Sequence, residues 1–192
     1  IYHEHLRYYS INAQKYLFKK YKVNIFDAKK IPTHGGSIRI YVSKNKKRLT
    51  INAKKLIKEE SSGIKLKKEL LSFKKRVIKS KIKFWYLISK LILKNKKIVG
   101  ISAPSRASTM INYLGIDENI IDYICEKKGS LKIGKFIPGT KIKVINEDFI
   151  IKDQPDFAVI FSWHIYKDLV KILKSKGYKG KFIIPLPKPR IL

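Results

Sequence analysis

The chain has 192 residues, 44% of them hydrophobic and 11% aromatic, enough to bury a core and too apolar for a disordered polymer. Its 44 Lys and Arg against 14 Asp and Glu give a formal charge of +30, which points first to nucleic acid or an anionic membrane surface. One cysteine excludes an internal disulfide and a Cys-based zinc site within these residues, and no apolar run reaches the roughly 18 residues of a membrane-spanning helix.

The charge has a second source. Only six of the basic residues are Arg, and abundant Lys is matched by abundant Ile and scarce Ala, as AT-rich coding produces at surface and core alike. Lysines are spread along the chain, and Arg, the residue that forks onto bases and phosphates, is rare. Composition therefore favours drift over nucleic-acid recognition; a basic nucleic-acid-binding module stands as the alternative. The field still draws in anionic small molecules, nucleotide-linked ones included. A reducing cytoplasm is the expected compartment.

The chain opens Ile1-Tyr2-His3-Glu4-His5 without an initiating Met, and so reads as the back portion of a longer polypeptide. Tyr, Glu and His within four positions are the residue types of proton transfer; a solvated polar terminus is the alternative. Ser10 then caps a predicted helix to about Tyr21, with apolar groups at Ile11, Tyr16, Leu17, Phe18 and Tyr21. Val23–Ala28 and Ser37–Val42 read as strands joined through Ile31-Pro32-Thr33-His34-Gly35-Gly36, an antiparallel pair. Lys44–Arg48 is a charged break, where a boundary is placed.

Helices follow near Lys54–Glu60 and from about Leu66 to Lys94, interrupted at Ser61-Ser62-Gly63. In the longer one Leu70, Phe73, Val77, Ile78, Ile82, Trp85, Ile88 and Ile92 recur at spacings of three and four and predict one buried face. From Lys97 the pattern alternates strand, loop and helix. Strand-like runs stand at Ile98–Ile101, Ile120–Cys125, Lys141–Ile145, Phe157–Phe161 and Lys181–Ile184, with helices over Thr109–Leu114 and Trp163–Lys174. Near-continuous apolar strands in repeated β–α units predict a doubly wound, Rossmann-like parallel sheet with helices on both faces. Cys125, inside one such run, reads as a small buried side chain.

Such sheets bind ligands beyond the carboxyl ends of their strands. The first turn, Gly100 to Ser108, has one Gly and a Pro where a dinucleotide fingerprint has three glycines, and Glu126 stands where a ribose-binding acid would. A dinucleotide role is therefore absent or altered. Ser105 and Arg106, at a helix start, are candidates for holding a phosphate, against a capped helix with a surface Arg. Trp163-His164, after a strand, favours a site over packing. Gly134–Thr140 reads equally as a site loop or as plain turn chemistry. Pro185-Leu186-Pro187 reads as a stop.

These pieces, in this order, resemble the sugar C-methyltransferases that use S-adenosylmethionine. The resemblance is carried by Tyr2-His3-Glu4-His5-Leu6-x-Tyr8-Tyr9-Ser10, Pro32-x-His34-Gly35-Gly36-Ser37-x-Arg39-x-Tyr41, Gly100-x-x-Ala103-Pro104, Asn112-Tyr113-x-Gly115, Gly134-x-x-x-Pro138-Gly139-Thr140, Pro155-Asp156, Trp163 and Pro185-Leu186-Pro187. It implies that residues 1–46 end a methyltransferase domain, 47–96 form a helical connector and 97–192 a Rossmann-like C-terminal domain. It also implies His5 as general base with Tyr2 and Glu4 orienting it, and substrate contacts from His34, Gly35, Gly36, Arg39, Ser105, Arg106, Trp163 and His164. The implied substrate is a nucleotide-linked keto sugar, with neither nucleic acid nor membrane as partner. The implied cofactor loop and a Cys-rich zinc module lie upstream of these residues, with no metal site here, so that alone they would not methylate. Departures from the pattern, at Arg106-Ala107, Glu126 and His164, bear on the sugar. A binding domain without catalysis is the remaining alternative.

Overall fold

Ser10 Oγ accepts from the Ala13 N–H at 3.1 Å and starts helix α1 (Ile11–Lys20), whose last turn carries Lys19 and Lys20 toward its negative end. A computed structural model describes residues 5–33, 36–60 and 63–192, without the side chains of 63–66. Its described residues fall into two units, His5–Lys75 and Arg76–Leu192.

In the first unit, β1 (Asn24–Ile31) and β2 (Ser37–Ser43) form an antiparallel pair, as expected, with Ile25 opposite Val42, Ala28 opposite Ile40 and Lys30 opposite Ile38. β1 runs three residues past the expected Ala28 because Lys29, Lys30 and Ile31 find partners on β2. Thr50 joins the pair to the next helix: its hydroxyl donates to the Asp27 carboxylate and accepts from Ala53 N–H, capping α2 (Ile51–Glu60). The core of this unit is small, built on Ile11, Ile25, Ala28, Ala53 and Leu56.

Helix α3 (Gly63–Ile92) is long, as its spacing predicts, but the buried face differs in detail. Phe84, Ile88 and Leu91 are buried, with Trp85 and Ile92 packed beside them. Ile78 and Ile82 are exposed. At 100° per residue they fall roughly a quarter to a third of a turn from Ile88. Leu70 and Phe73 are exposed as well.

The second unit contains a mostly parallel sheet in the order β5-β4-β3-β6-β7-β8. Its strands are β3 (Ile98–Ile101), β4 (Tyr123–Glu126), β5 (Lys143–Asn146), β6 (Phe157–Ile160), β7 (Lys181–Ile184) and β8 (Arg190–Ile191). Side chains alternate between two cores. Ile98, Ile124, Val144, Val159 and Ile183 pack with α3 and with α4 (Ser105–Leu114). Val99, Ile101, Cys125, Ala158, Ile160, Phe182 and Ile184 pack with α5 (Asp148–Asp153) and α6 (Tyr166–Ser175). Burial on both faces is why these strands read as apolar runs. Cys125 is buried, and desolvation pushes its thiol up to about 12, so it is an inert core group.

Several boundaries move. The helix expected near Lys54–Glu60 begins at Ile51, and the helix expected over Thr109–Leu114 begins at Ser105. Ile120–Asp122 precede β4 outside the strand, the strand expected over Lys141–Ile145 runs Lys143–Asn146, and the helix at Trp163 opens with a 3-10 turn, Trp163–Ile165. Pro185-Leu186-Pro187 does not stop the structure: the chain returns as β8, antiparallel to β7.

Gly100, in β3, is needed for packing. A Cβ there would lie 2.6 Å from Ile124 Cγ1 and 2.9 Å from Phe161 Cε2. Gly100→Ala is therefore expected to lower unfolding free energy by about 1–3 kcal/mol, read by urea denaturation. The start of β3 is tied by Asp156, which accepts from Lys96 Nζ and from the Lys97 N–H, both at 2.9 Å. Those bonds hold its carboxyl below the usual range, Lys96 first and the Lys97 N–H next. A depressed folded pKa contributes stability above the unfolded value of about 3.9, lost as pH falls through the folded one. Acid denaturation curves should thus be shallower for Asp156→Asn than for the natural chain; identical curves would contradict the tether.

Candidate functional site

The carboxyl ends of β3 and β6 lie side by side, and the chain leaves them toward opposite faces of the sheet, through α4 and α6. That divergence opens a crevice where such sheets hold ligands. Its walls are the Ser102-Ala103-Pro104 turn with the first turn of α4, and the Ser162–His164 segment.

Ser102 has φ +59°, a left-handed conformation that a non-glycine residue adopts only when its surroundings fix it. The fixing groups are visible. Ser102 N–H donates to Cys125 O at 2.7 Å, and its hydroxyl lies 2.7 Å from that of buried Ser162. Ala103 N–H donates to Glu126 Oε2 at 2.9 Å, and Ala103 O accepts from Lys132 Nζ at 2.6 Å. Pro104 then enters α4 without a side-chain cap.

Four expected residues meet at this crevice. The Arg106 guanidinium carbon lies 5.9 Å from the centre of the Trp163 ring, within cation–π reach, and Trp163 stands edge-on to His164 at 6.3 Å. Ser105 begins α4, exposed, with its carbonyl accepting from the Ser108 hydroxyl at 2.7 Å. A cation over an aromatic ring, at a helix start beyond the strand ends, suits a phosphate-bearing ligand. Glu126 does not await a ribose: its second oxygen accepts from Lys127 N–H at 3.1 Å, so both face backbone.

The expected residues of the first unit are less fully drawn. Tyr2, Glu4, His34 and Gly35 lie outside the described residues. His5 is exposed and stands edge-on to Tyr8, ring centres 5.7 Å apart. Gly36 has φ +122°, and Gly36 N–H and the Ser37 hydroxyl both donate to Thr33 O at 3.0 Å, closing the turn into β2. A hollow of about 500 Å³ is lined by Tyr9, Gln14, Lys30, Gly36, Ser37 and apolar neighbours; Arg39 is not among them. Arg39 pairs with Lys29 across the hairpin instead. Hydrogen bonds to Lys29, and after burial to Arg39, hold the Tyr41 phenol below its ordinary range.

Two features belong to structure, not chemistry. Asn112 Nδ2 donates to Pro138 O and Ser108 O, both at 2.8 Å, and a Cβ on Gly139 would meet Asn112 Oδ1 at 2.3 Å. Gly134–Thr140 is thus a turn latched to α4, the plainer of its two readings. At the amino ends of the strands another hollow, about 410 Å³, is lined by Lys96, Asp156 and Lys181 among others, its carboxylate already bonded. Among the described residues there is no group of three or more His, Cys, Asp or Glu placed to hold a metal, and no helix long and apolar enough to cross a membrane.

A mixed α/β domain with a mostly parallel sheet and a crevice at its central strand ends is the class these features define. Within that class, residues 32–187 match the model of the C-methyltransferase C-terminal domain, more than half of the chain, and the chain belongs to that family. The C-methyltransferase NovU of Streptomyces niveus is 25% identical over 198 residues, which cover all of this chain and 46% of that protein. The chain thus spans about half the length of the curated relative it matches.

The Asn112 latch yields a direct check. Gly139→Ala, at φ +81°, should cost about 1–3 kcal/mol of stability in thermal or urea unfolding while leaving pyrophosphate affinity unchanged. A change in affinity larger than the change in stability would give the turn a ligand role.

Proposed function

We propose that this chain is the C-terminal part of a C-methyltransferase that uses S-adenosylmethionine and acts on a nucleotide-linked keto sugar. The family match over residues 32–187 carries the reading. The placing of Arg106 over Trp163, in the first turn of α4 beyond the strand ends, supports it, because a diphosphate needs a cation there. In this reading residues 1–46 close a methyltransferase domain, 47–96 connect, and 97–192 form a doubly wound, Rossmann-like substrate domain.

S-adenosylmethionine does not fit the described residues. The space beside Gly100 is filled by Ile124 and Phe161, and Glu126 is spent on backbone. Its cradle is assigned to residues upstream, and the steps assigned to this chain are binding and proton transfer. Arg106, with Ser105, holds the nucleotide phosphates, while Trp163 and His164 flank them. At the sugar, His5 takes the proton from the carbon next to the ketone; the C–H electron pair becomes the enolate that accepts the methyl group. Tyr2 and Glu4 orient the imidazole. Gly36, with His34 and Gly35, contacts the sugar, and Arg39, which does not line the hollow beside Gly36, is assigned to it by the family resemblance alone. The sugar chemistry would place the enzyme in the cytoplasm.

The test uses the complete polypeptide. His5→Gln should lower kcat by about 10²–10⁴-fold with little change in KM, as loss of a general base does. Arg106→Ala should instead raise KM with kcat held. Full methyl transfer by His5→Gln would remove the base assignment.

A further inference from the structure

We infer that Glu126 and Lys132 clamp the two successive peptide groups on either side of the Ala103 Cα, and that Glu126 is thereby a positioning residue for the phosphate-binding turn. This rests on the phosphate reading of Arg106 given above. The Ala103 N–H points at Glu126 Oε2 and the Ala103 carbonyl at Lys132 Nζ, so opposite charges hold the two backbone groups of one residue at 2.9 and 2.6 Å and fix the consecutive amides on both sides of its Cα. The other Glu126 oxygen is anchored on Lys127 N–H at 3.1 Å, which fixes the carboxylate itself. Lys132 is brought back across the turn after β4, where Gly129 takes φ +82°.

The grip sits where it has most effect. Ser102, one residue before, is held at φ +59°, and Arg106 lies three residues after, one residue into α4. Released, the turn would let Ser102 return to an ordinary conformation and rotate the start of α4, moving Arg106 away from Trp163. The two backbone bonds to Glu126, from Ala103 and Lys127, also decide which side of the crevice is usable. On the β4 side, where a ribose-reading acid would act, both carboxylate oxygens are engaged. On the β6 side stand Ser162, Trp163 and His164, with Trp163 within reach of Arg106. The clamp thus directs a phosphate-bearing ligand to the β3–β6 side.

The full 192-residue chain, carrying Trp85→Phe so that Trp163 is its one tryptophan, reports this by fluorescence titration with inorganic pyrophosphate. Glu126→Ala should shift the unliganded Trp163 emission and weaken pyrophosphate binding about tenfold, and Glu126→Gln, which keeps an acceptor for Ala103 N–H, should recover most of it. Lys132→Met, which frees only the carbonyl side, should weaken binding about threefold and serves if Glu126→Ala does not fold. Glu126→Ala and Lys132→Met binding as the parent does, while Arg106→Ala loses affinity, would overturn the clamp and leave the phosphate site standing. Equal affinity for the parent and Arg106→Ala would remove the phosphate reading itself, and the positioning role with it.

Discussion

Strand β3 is held at each end by a carboxylate that belongs to one of its two neighbours. At its start Asp156, just before β6, takes the Lys97 N–H; just past its end Glu126, the last residue of β4, takes the Ala103 N–H. These are the backbone donors that a strand of four residues leaves without ladder partners, and an unpaired buried donor is costly. In a chain with 14 acidic residues against 44 basic ones, two acids are spent on this one strand. The rest of the second unit is arranged around that choice. β3 is the strand from which the sheet grows in both directions, and its close contact with Ile124 and Phe161 is what demands glycine at position 100.

The same constraint shapes the crevice. A turn pinned by Glu126 and Lys132 can hold Ser102 in a conformation it would otherwise leave, and that fixes where α4 begins. Arg106 then meets Trp163 from the neighbouring strand's loop. A fold-level acid has been traded: the carboxylate that reads a ribose in dinucleotide-binding sheets here stabilises backbone. Its neighbour at the amino end does the equivalent work with Asp153, which accepts from Lys97 Nζ and from the Tyr123 hydroxyl. Burial, and then the Asp153 bond, push the Tyr123 phenol above its ordinary range. That network is structural.

Much of this was legible in the sequence where physics is local. Ile98–Ile101, Phe157–Phe161 and Lys181–Ile184 announce strands buried on both faces, and Ser10 announces a cap. The rule that ligands sit at strand carboxyl ends brought Arg106 and Trp163 to attention, and they meet. The short α5, Asp148–Asp153, and the two-residue β8 escaped, because six residues hold too few turns for a period and two hold none. The face of α3 was misassigned at Ile78 and Ile82 because spacings of three and four accumulate angular drift, which carries these two positions about a quarter to a third of a turn from Ile88. Glu126 was seen, but its partner is a backbone amide in the turn after the neighbouring strand, β3, and no sequence pattern encodes such a bond. The Tyr2-Glu4-His5 group rests on the family resemblance, since only His5 lies among the described residues.

Amide hydrogen exchange followed by NMR on the 192-residue chain tests the central claim, that borrowed carboxylates hold both ends of β3. The Lys97 and Ala103 amides should exchange as slowly as those of Val99 and Ile101 inside the strand. Exchange of Ala103 at the rate of exposed turn amides such as Lys128 would show that the end of β3 is not held, and the account of the crevice would fall with it.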